Sequence, residues 1–349
     1  MKKISAFILA ALLSLFVLCG CMPQEQPPVQ PSVVEDDGGG LTVHFIDVGQ
    51  ADCTLLECGG QTMLIDGGNA EDSSLVVSYL KGKEIAYLDY VVCTHAHEDH
   101  VGGLSGPLNT CTVGQVFAPV TEYSSKVFEN FVKYTHAQGL EITVPAADDA
   151  FMLGSARVTV LGPRKEYEGT NDTSLVLRVD YGETSFLFTG DMETPAEDDL
   201  LAAGCDLSAT VLKVGHHGSS TSSSYVFLRE VMPEYAVISC GVDNSYGHPH
   251  DEVVSRLYDA RVTVYRTDEQ GTVVAFSDGK QVTFTTEKDV APTLGRDENE
   301  QLRYIGNKNS KVFHREDCTG LPAEHNQVVF DSRDAATGQG YTPCGKCDP

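Results

Sequence analysis

Hydrophobic positions along this chain fall into short blocks separated by Gly, Pro, Asn and Asp. Leu41–Val48, Thr54–Glu57, Thr62–Asp66 and Asp89–Thr94 are rich in Val, Ile and Leu and of strand length, which predicts β-strands. Ser73–Leu80 and Ser124–His136 carry helical spacing instead. Beyond Arg157 the pattern predicts strands over Arg157–Leu161, Ser174–Asp180 and Thr184–Thr189, a helix over Thr194–Ala203, a strand over Thr210–Val214 and a helix over Ser222–Val231. It ends with a strand over Tyr235–Cys240, a helix over His250–Asp259, and strands over Arg261–Arg266, Thr272–Phe276 and Gln281–Thr285. Strands in runs with helices between them predict a layered α/β domain over 41–287, its sheets covered by helices.

The first forty residues are of another kind. Met1-Lys2-Lys3 is basic, and Ile4–Leu18 is a 15-residue apolar run interrupted only by two Ser. A membrane span needs about 20 residues, so 1–20 reads as an export signal. Leu18-Cys19-Gly20-Cys21 resembles a bacterial lipobox. That resemblance implies lipidation at Cys21 and an exported protein, lipid-anchored at the outer face of the cell membrane. Residues 21–40 are dominated by Pro, Gln and Gly and predict a flexible tether.

Composition narrows the function. Hydrophobic residues make up 41% of the chain, enough for a real core. Asp and Glu number 50 against 24 Lys and Arg, a net charge of −26. Of these, 40 acidic and 16 basic side chains lie within 41–301, so the acidity belongs to the large domain. That excludes a simple basic clamp on nucleic acid, because phosphate neutralisation needs Lys and Arg. Eleven Cys in 349 residues are too few for a disulfide-dense scaffold. Cys53, Cys58, Cys93, Cys111, Cys205 and Cys240 sit mostly in apolar runs and read as buried thiols, with a Cys53–Cys58 pairing left open.

The candidate chemistry sits at predicted strand ends. Val91-Val92-Cys93-Thr94 runs into His95-Ala96-His97-Glu98-Asp99-His100. Three imidazoles and a carboxylate so close together are the donor set of Zn²⁺ or Mn²⁺ sites. Three other strands end alike: in Asp66-Gly67-Gly68, in Gly190-Asp191, and in Gly215-His216-His217-Gly218-Ser219. Asp191 is a candidate bridging carboxylate for two cations, and His216 or His217 a candidate to complete the ligand set.

These residues resemble the metallo-β-lactamase fold superfamily, whose HxHxDH signature is matched in full. His44 through Asp52, Asn171 through Leu177 and Lys213 through Ser219 narrow the resemblance to the hydrolase domain of ComEC-type DNA internalisation proteins. Ala51 replaces that group's usual second Gly. The resemblance covers about 41–287 and implies an αββα sandwich. His95, His97, Asp99, His100, Asp191 and His216 then take ligand positions for one or two divalent ions, Zn²⁺ or Mn²⁺. Asp66 orients a ligand by hydrogen bonding. Asn171 stands where many superfamily members carry another His, which favours a harder ion such as Mn²⁺ at one position. Asp99 and His248 are the candidate catalytic groups, and Lys213 and Ser219 candidate phosphate contacts.

Residues 288–301 read as a linker. The last segment, 302–349, carries His314-x₃-Cys318 and Cys344-x₂-Cys347, separated by 25 residues, the spacing of a four-ligand zinc site. A segment of 48 residues needs such a staple. It resembles the zinc-binding domain of the Ada DNA-repair protein, which implies a small α+β module around one structural Zn²⁺. In Ada the first ligand is a methyl-accepting Cys; here it is His314, which implies that methyl transfer is absent. Lys308, Lys311, Arg315 and Lys346 give modest support for nucleic-acid contact.

The combined expectation is an exported, lipid-anchored metallo-hydrolase, a phosphodiesterase or nuclease acting on DNA through a metal-activated water. The alternatives are a phosphoesterase acting on an envelope polymer and a non-catalytic DNA-binding lipoprotein.

Overall fold

The computed structural model describes residues 39–295 and 303–347, apart from 317 and 346. Cys21, the signal segment, nearly all of the tether and Lys346 lie outside the described residues. Two large sheets form the domain over 41–287. The first has eight strands in the spatial order Val282–Thr286, Val273–Ser277, Leu41–Phe45, Thr54–Cys58, Gln61–Ile65, Tyr87–Val92, Thr112–Phe117 and Ile142–Thr143. The second has seven, in the order Thr263–Arg266, Tyr235–Ile238, Val211–Lys213, Thr184–Phe188, Val176–Tyr181, Ala156–Gly162 and Ala150–Leu153.

The period-two alternation of side chains assigns each strand residue to a layer. Val43, Phe45, Leu56, Met63 and Ile65 face Val158, Leu177, Phe186 and Phe188 in the core between the sheets. Their sequence neighbours turn outward. Leu55, Leu64 and Val91 meet Val76 and Leu80 of helix Ser73–Gly82 and Phe128 and Phe131 of helix Lys126–Ala137. Leu187, Leu212 and Ala236 meet Leu200, Phe227 and Leu257 of helices Thr194–Ala203, Tyr225–Val231 and Asp251–Asp259. Both faces of each sheet are therefore covered, which is why the strands read as nearly continuous apolar runs. The result is the expected αββα sandwich.

Strand Thr112–Phe117 lies outside the sequence expectation. Gly114 interrupts its pattern, and the strand exists because it pairs in parallel with Tyr87–Val92. Strand Leu41–Phe45 stops three residues short of its predicted end, where the chain leaves the sheet. Cys53, Cys58, Cys93, Cys111, Cys205 and Cys240 are all free thiols, only Cys205 being partly exposed. Among the described residues no helix is long and apolar enough to cross a membrane.

The C-terminal module is a four-stranded sheet, Gln327–Phe330, Tyr304–Asn307, Val312–Arg315 and Thr342–Pro343, with helix Arg333–Gly338. Among the described residues its buried apolar cluster is Tyr304, Phe313, Phe330, Ala336 and Tyr341, with Val328 and Ala335 packed against it. Arg315 leaves the module and binds helix Asp251–Asp259, with Nη1 3.1 Å from Asp259 Oδ2. The Arg333 guanidinium lies 4.3 Å from the Tyr225 ring centroid.

Candidate metal centre

In both sheets the parallel strands end at the site. Gln61–Ile65 and Tyr87–Val92 run side by side in the first sheet, as do Thr184–Phe188, Val211–Lys213 and Tyr235–Ile238 in the second. Asp66, His95, Asp191, the His216-His217 pair and Ser239 follow directly after these strands. Loops leaving the carboxyl ends of parallel strands are where open α/β sheets assemble ligand sites.

Two Gly-Gly pairs join the first two loops. Gly67 donates to His100 O at 2.8 Å, and Gly103 donates to Gly68 O at 2.9 Å. A Cβ on Gly103 would lie 1.8 Å from Gly67 O, so only glycine permits this approach. Asp66 is held within it. Its Oδ1 accepts the Thr94 N–H at 2.8 Å, and its Oδ2 accepts the Thr94 hydroxyl at 2.7 Å. The same Oδ2 lies 2.8 Å from His100 Nδ1, which turns His100 Nε2 towards Asp191 Oδ1 at 3.1 Å.

Asp191 is buried at the centre. Its Oδ2 lies 3.9 Å from His95 Nε2 and 3.7 Å from both His216 Nε2 and His217 Nε2. Asp99 Oδ2 is 3.3 Å from His217 Nε2 and 4.0 Å from His100 Nε2. His97 Nδ1 is 3.1 Å from His95 Nε2. Ligand atoms of Asp99, His100, Asp191 and His217 all lie within 4.8 Å of one another. His95, His97 and His216 flank that group.

The structure thus puts both members of the doublet near Asp191 but gives them different surroundings. His216 and His217 have φ of 52° and 53°, left-handed values uncommon for residues with a side chain. That backbone turn splays the rings. His217 is buried, with Nδ1 3.0 Å from Ser239 O and 3.3 Å from Asp52 Oδ1. His216 is partly exposed, with Nδ1 3.2 Å from Glu193 Oε1. The Asn171 amide donates to the same Glu193 oxygen at 3.2 Å.

The electrostatics match this geometry. Burial holds the His95 imidazole well below its usual pKa, so it is neutral. Burial opposes protonation of His217 too, but Asp191 and Asp52 push it up to about 10. Asp191 and Asp66 hold His100 high in the same way. Burial works against ionisation of Asp99, yet His100 and His217 bring it down to about 2. Four buried atoms at the centre make no hydrogen bond of good geometry, close as some of them lie to one another: His100 Nε2, His217 Nε2, Asp191 Oδ1 and Asn171 Oδ1. Unpartnered buried polar atoms are costly. Imidazole and carboxylate donors converging on one space are what a divalent cation satisfies, so the residues fit a metal.

A cavity of about 380 Å³ opens over the centre, lined by Gln50, His97, Asp99, Asn171, Tyr246 and His248 among others. The Gln50 carbonyl oxygen accepts the Gly241 N–H at 3.0 Å, which fixes its amide. The amide nitrogen therefore faces His248 Nδ1 at 3.3 Å and donates to it. Burial and the neighbouring His217 and His250 lower His248 to about 4. His248 is thus neutral, with Nε2–H as its donor.

Lys213 and Ser219 do not line this cavity. Lys213 is 2% exposed, and its Nζ lies 2.8 Å from Asp52 Oδ2. Ser219 is buried, 3.0 Å from the Thr221 hydroxyl. Asp52, Gln50, Glu193 and Tyr246 were not singled out from the sequence. Asp52 and Gln50 sit in the His44–Asp52 motif, the one signal that pointed to them.

In the module, His314, Cys318, Cys344 and Cys347 bring their ligand atoms within 4.8 Å of one another. Cys318 Sγ also accepts the Gly320 N–H at 3.3 Å. Three thiols and one imidazole, three of the four buried, fit a closed tetrahedral metal site. Lys308 donates to His325 O and Lys311 to the Tyr341 hydroxyl, and Arg315 is paired with Asp259. Three of the four cations expected to support nucleic-acid contact are thus engaged within the protein.

The sandwich and the Asp/His centre are those of the metallo-β-lactamase superfamily, whose model matches residues 46–242. The chain belongs to this superfamily. The metal binding domain of Ada matches residues 294–349. Two curated relatives place the hydrolase domain in the ComEC-like branch. ComE operon protein 3 of Bacillus subtilis is 30% identical over 250 residues, covering 66% of this chain and 32% of that protein. Competence protein ComA of Neisseria gonorrhoeae is 32% identical over 244 residues, covering 69% and 33%. The chain therefore spans about a third of the length of these relatives. Among solved structures, the metallo-β-lactamase fold protein YhfI of Bacillus subtilis is 14% identical with a TM-score of 0.47, covering 70% of this chain and all of that one.

Proposed function

We propose that this protein is an exported, lipid-anchored, metal-dependent phosphodiesterase that acts on DNA. The carrying observation is Asp191, buried and surrounded by four imidazoles, those of His95, His100, His216 and His217, within about 4 Å of its carboxylate. Divalent ions bound there would bring a water towards neutral pKa and neutralise developing phosphate charge. The chain's residues do the rest. His95, His97, Asp99, His100, Asp191 and one or both of His216 and His217 hold the ions. Asp66, Ser239 and Glu193 set the orientation of the imidazoles. Neutral His248 offers Nε2–H to a phosphoryl or leaving-group oxygen. The competence proteins among the relatives support DNA as substrate, and the lipobox-like segment supports the anchor. A Zn²⁺ held by His314, Cys318, Cys344 and Cys347 completes the module.

The test is hydrolysis of DNA, RNA and bis-p-nitrophenyl phosphate by the purified protein with Mn²⁺ or Zn²⁺. Turnover should disappear in His97→Ala, in Asp191→Ala and in excess EDTA. Activity that survives all three sinks the proposal. Turnover of the small diester without either nucleic acid points to an envelope polymer instead.

A further inference from the structure

Three aromatic rings lead from solvent to the metal centre. The Tyr246 ring lies 5.6 Å from His248 at an interplanar angle of 22°, and His248 lies 6.2 Å from His217 at 20°. Their exposures are 68%, 9% and 1%. Tyr246 is the most exposed Tyr or Phe among the described residues, and it stands at the cavity mouth. The other exposed Tyr and Phe side chains among them, Tyr87, Tyr123 and Phe276, do not line this cavity.

The loop that carries Tyr246 is braced. The Asn244 amide donates to Gly241 O at 2.9 Å and to His248 O, and its carbonyl oxygen accepts the His248 N–H at 3.0 Å. One side chain thus ties both ends of the 241–248 turn and braces the backbone that carries the ring. A braced loop loses less entropy on binding.

Charge defines what that ring can recognise. Among the described residues lining the cavity there is no Lys or Arg, while Glu98, Asp99 and Asp191 are present. A nucleic acid gains no phosphate neutralisation from this rim, so away from the metals its affinity must come from uncharged contacts. Every base has a π-face, and stacking on an aromatic side chain is the uncharged contact that single strands use. A base within a duplex is already stacked on its neighbours and has no free face.

We propose that Tyr246 is a stacking platform for an unpaired nucleobase beside the scissile phosphate, so that the substrate is a single strand or a frayed strand end. This rests on the phosphodiesterase reading above. It assigns recognition of the phosphate to the metal centre and recognition of the base to the loop.

The experiment compares two substrates of equal length: an oligothymidylate, and a phosphodiester chain of abasic tetrahydrofuran units. The readout is the ratio of their kcat/KM values with the full-length protein and Mn²⁺, a ratio that partial misfolding of a variant leaves unchanged. In the wild type it should favour the base-bearing strand by about 5- to 100-fold. Tyr246→Ala should bring it towards 1, and Tyr246→Phe, which keeps the ring, should preserve it. Equal cleavage of both by the wild type, or an undiminished ratio in Tyr246→Ala, overturns this inference alone. Cleavage of neither by the wild type overturns it together with the phosphodiesterase reading.

Discussion

Lys213 Nζ lies 2.8 Å from Asp52 Oδ2, and both side chains are buried. The pair joins the loop after strand Leu41–Phe45 to strand Val211–Lys213, so it links the two sheets. The other oxygen of Asp52 faces His217 Nδ1 at 3.3 Å. Lys213 thus acts through Asp52 on a candidate metal ligand. Burial opposes ionisation of Asp52, but the Lys213 ammonium and the His217 imidazole together outweigh it and keep the carboxylate charged. Lys213→Met should leave the buried Asp52 carboxylate without its ammonium partner, with only His217 facing it, and cost about 3–5 kcal/mol. Asp52→Leu combined with Lys213→Met should recover most of that loss, because no lone charge remains. Urea unfolding measures both, and a single variant as stable as the wild type contradicts this assignment.

Metal loading should be coupled to proton release. Carboxylates keep His217 protonated up to about pH 10 and His100 protonated well above the usual histidine range, although burial opposes both. Below those values a proton occupies the nitrogen that a cation needs. Affinity should therefore fall as pH falls, by up to about tenfold per pH unit for each proton displaced. Titration calorimetry in two buffers of different ionisation enthalpy reads the protons directly. An affinity that is constant between pH 6 and 8 would contradict the coupling.

The module should depend on its metal. The five buried residues of its described apolar cluster are too few to hold a segment of 48 residues folded. Cys344→Ser should lower the zinc content by one ion per chain and expose 302–349 to protease, while 41–287 stays protected. His314→Cys, which restores a four-thiolate set, should keep the zinc. Elemental analysis and limited proteolysis decide it. Retention of zinc by Cys344→Ser would exclude Cys344 as a ligand.

Much of the site was legible in the chain because its ligands cluster locally. His95, His97, Asp99 and His100 lie within six residues, and Asp66 and Asp191 each sit beside glycine at a strand end. Local spacing carries no information about direction, however. Spacing alone left the His216-His217 doublet open and the resemblance implied His216; two left-handed residues turn the His217 ring inward and leave His216 partly exposed, both near Asp191. Lys213 looked like a phosphate contact because a cation beside a His-rich loop has that chemistry. Its partner Asp52 is 161 residues away in the chain, and only the packing of the two sheets brings them together.

The acidity follows the same division. The sequence alone determined that the large domain is acidic, that its strands are buried on both faces, and that it carries a metal-type donor set. Composition and period-two spacing are properties of the chain itself. The tertiary structure decided where Lys and Arg are absent and where an aromatic ring is offered. The cavity has no Lys or Arg in its described lining, and Tyr246 stands over its mouth. That arrangement arises from loops of both sheets converging at one edge, a relation between segments up to about 200 residues apart, which a linear pattern does not encode.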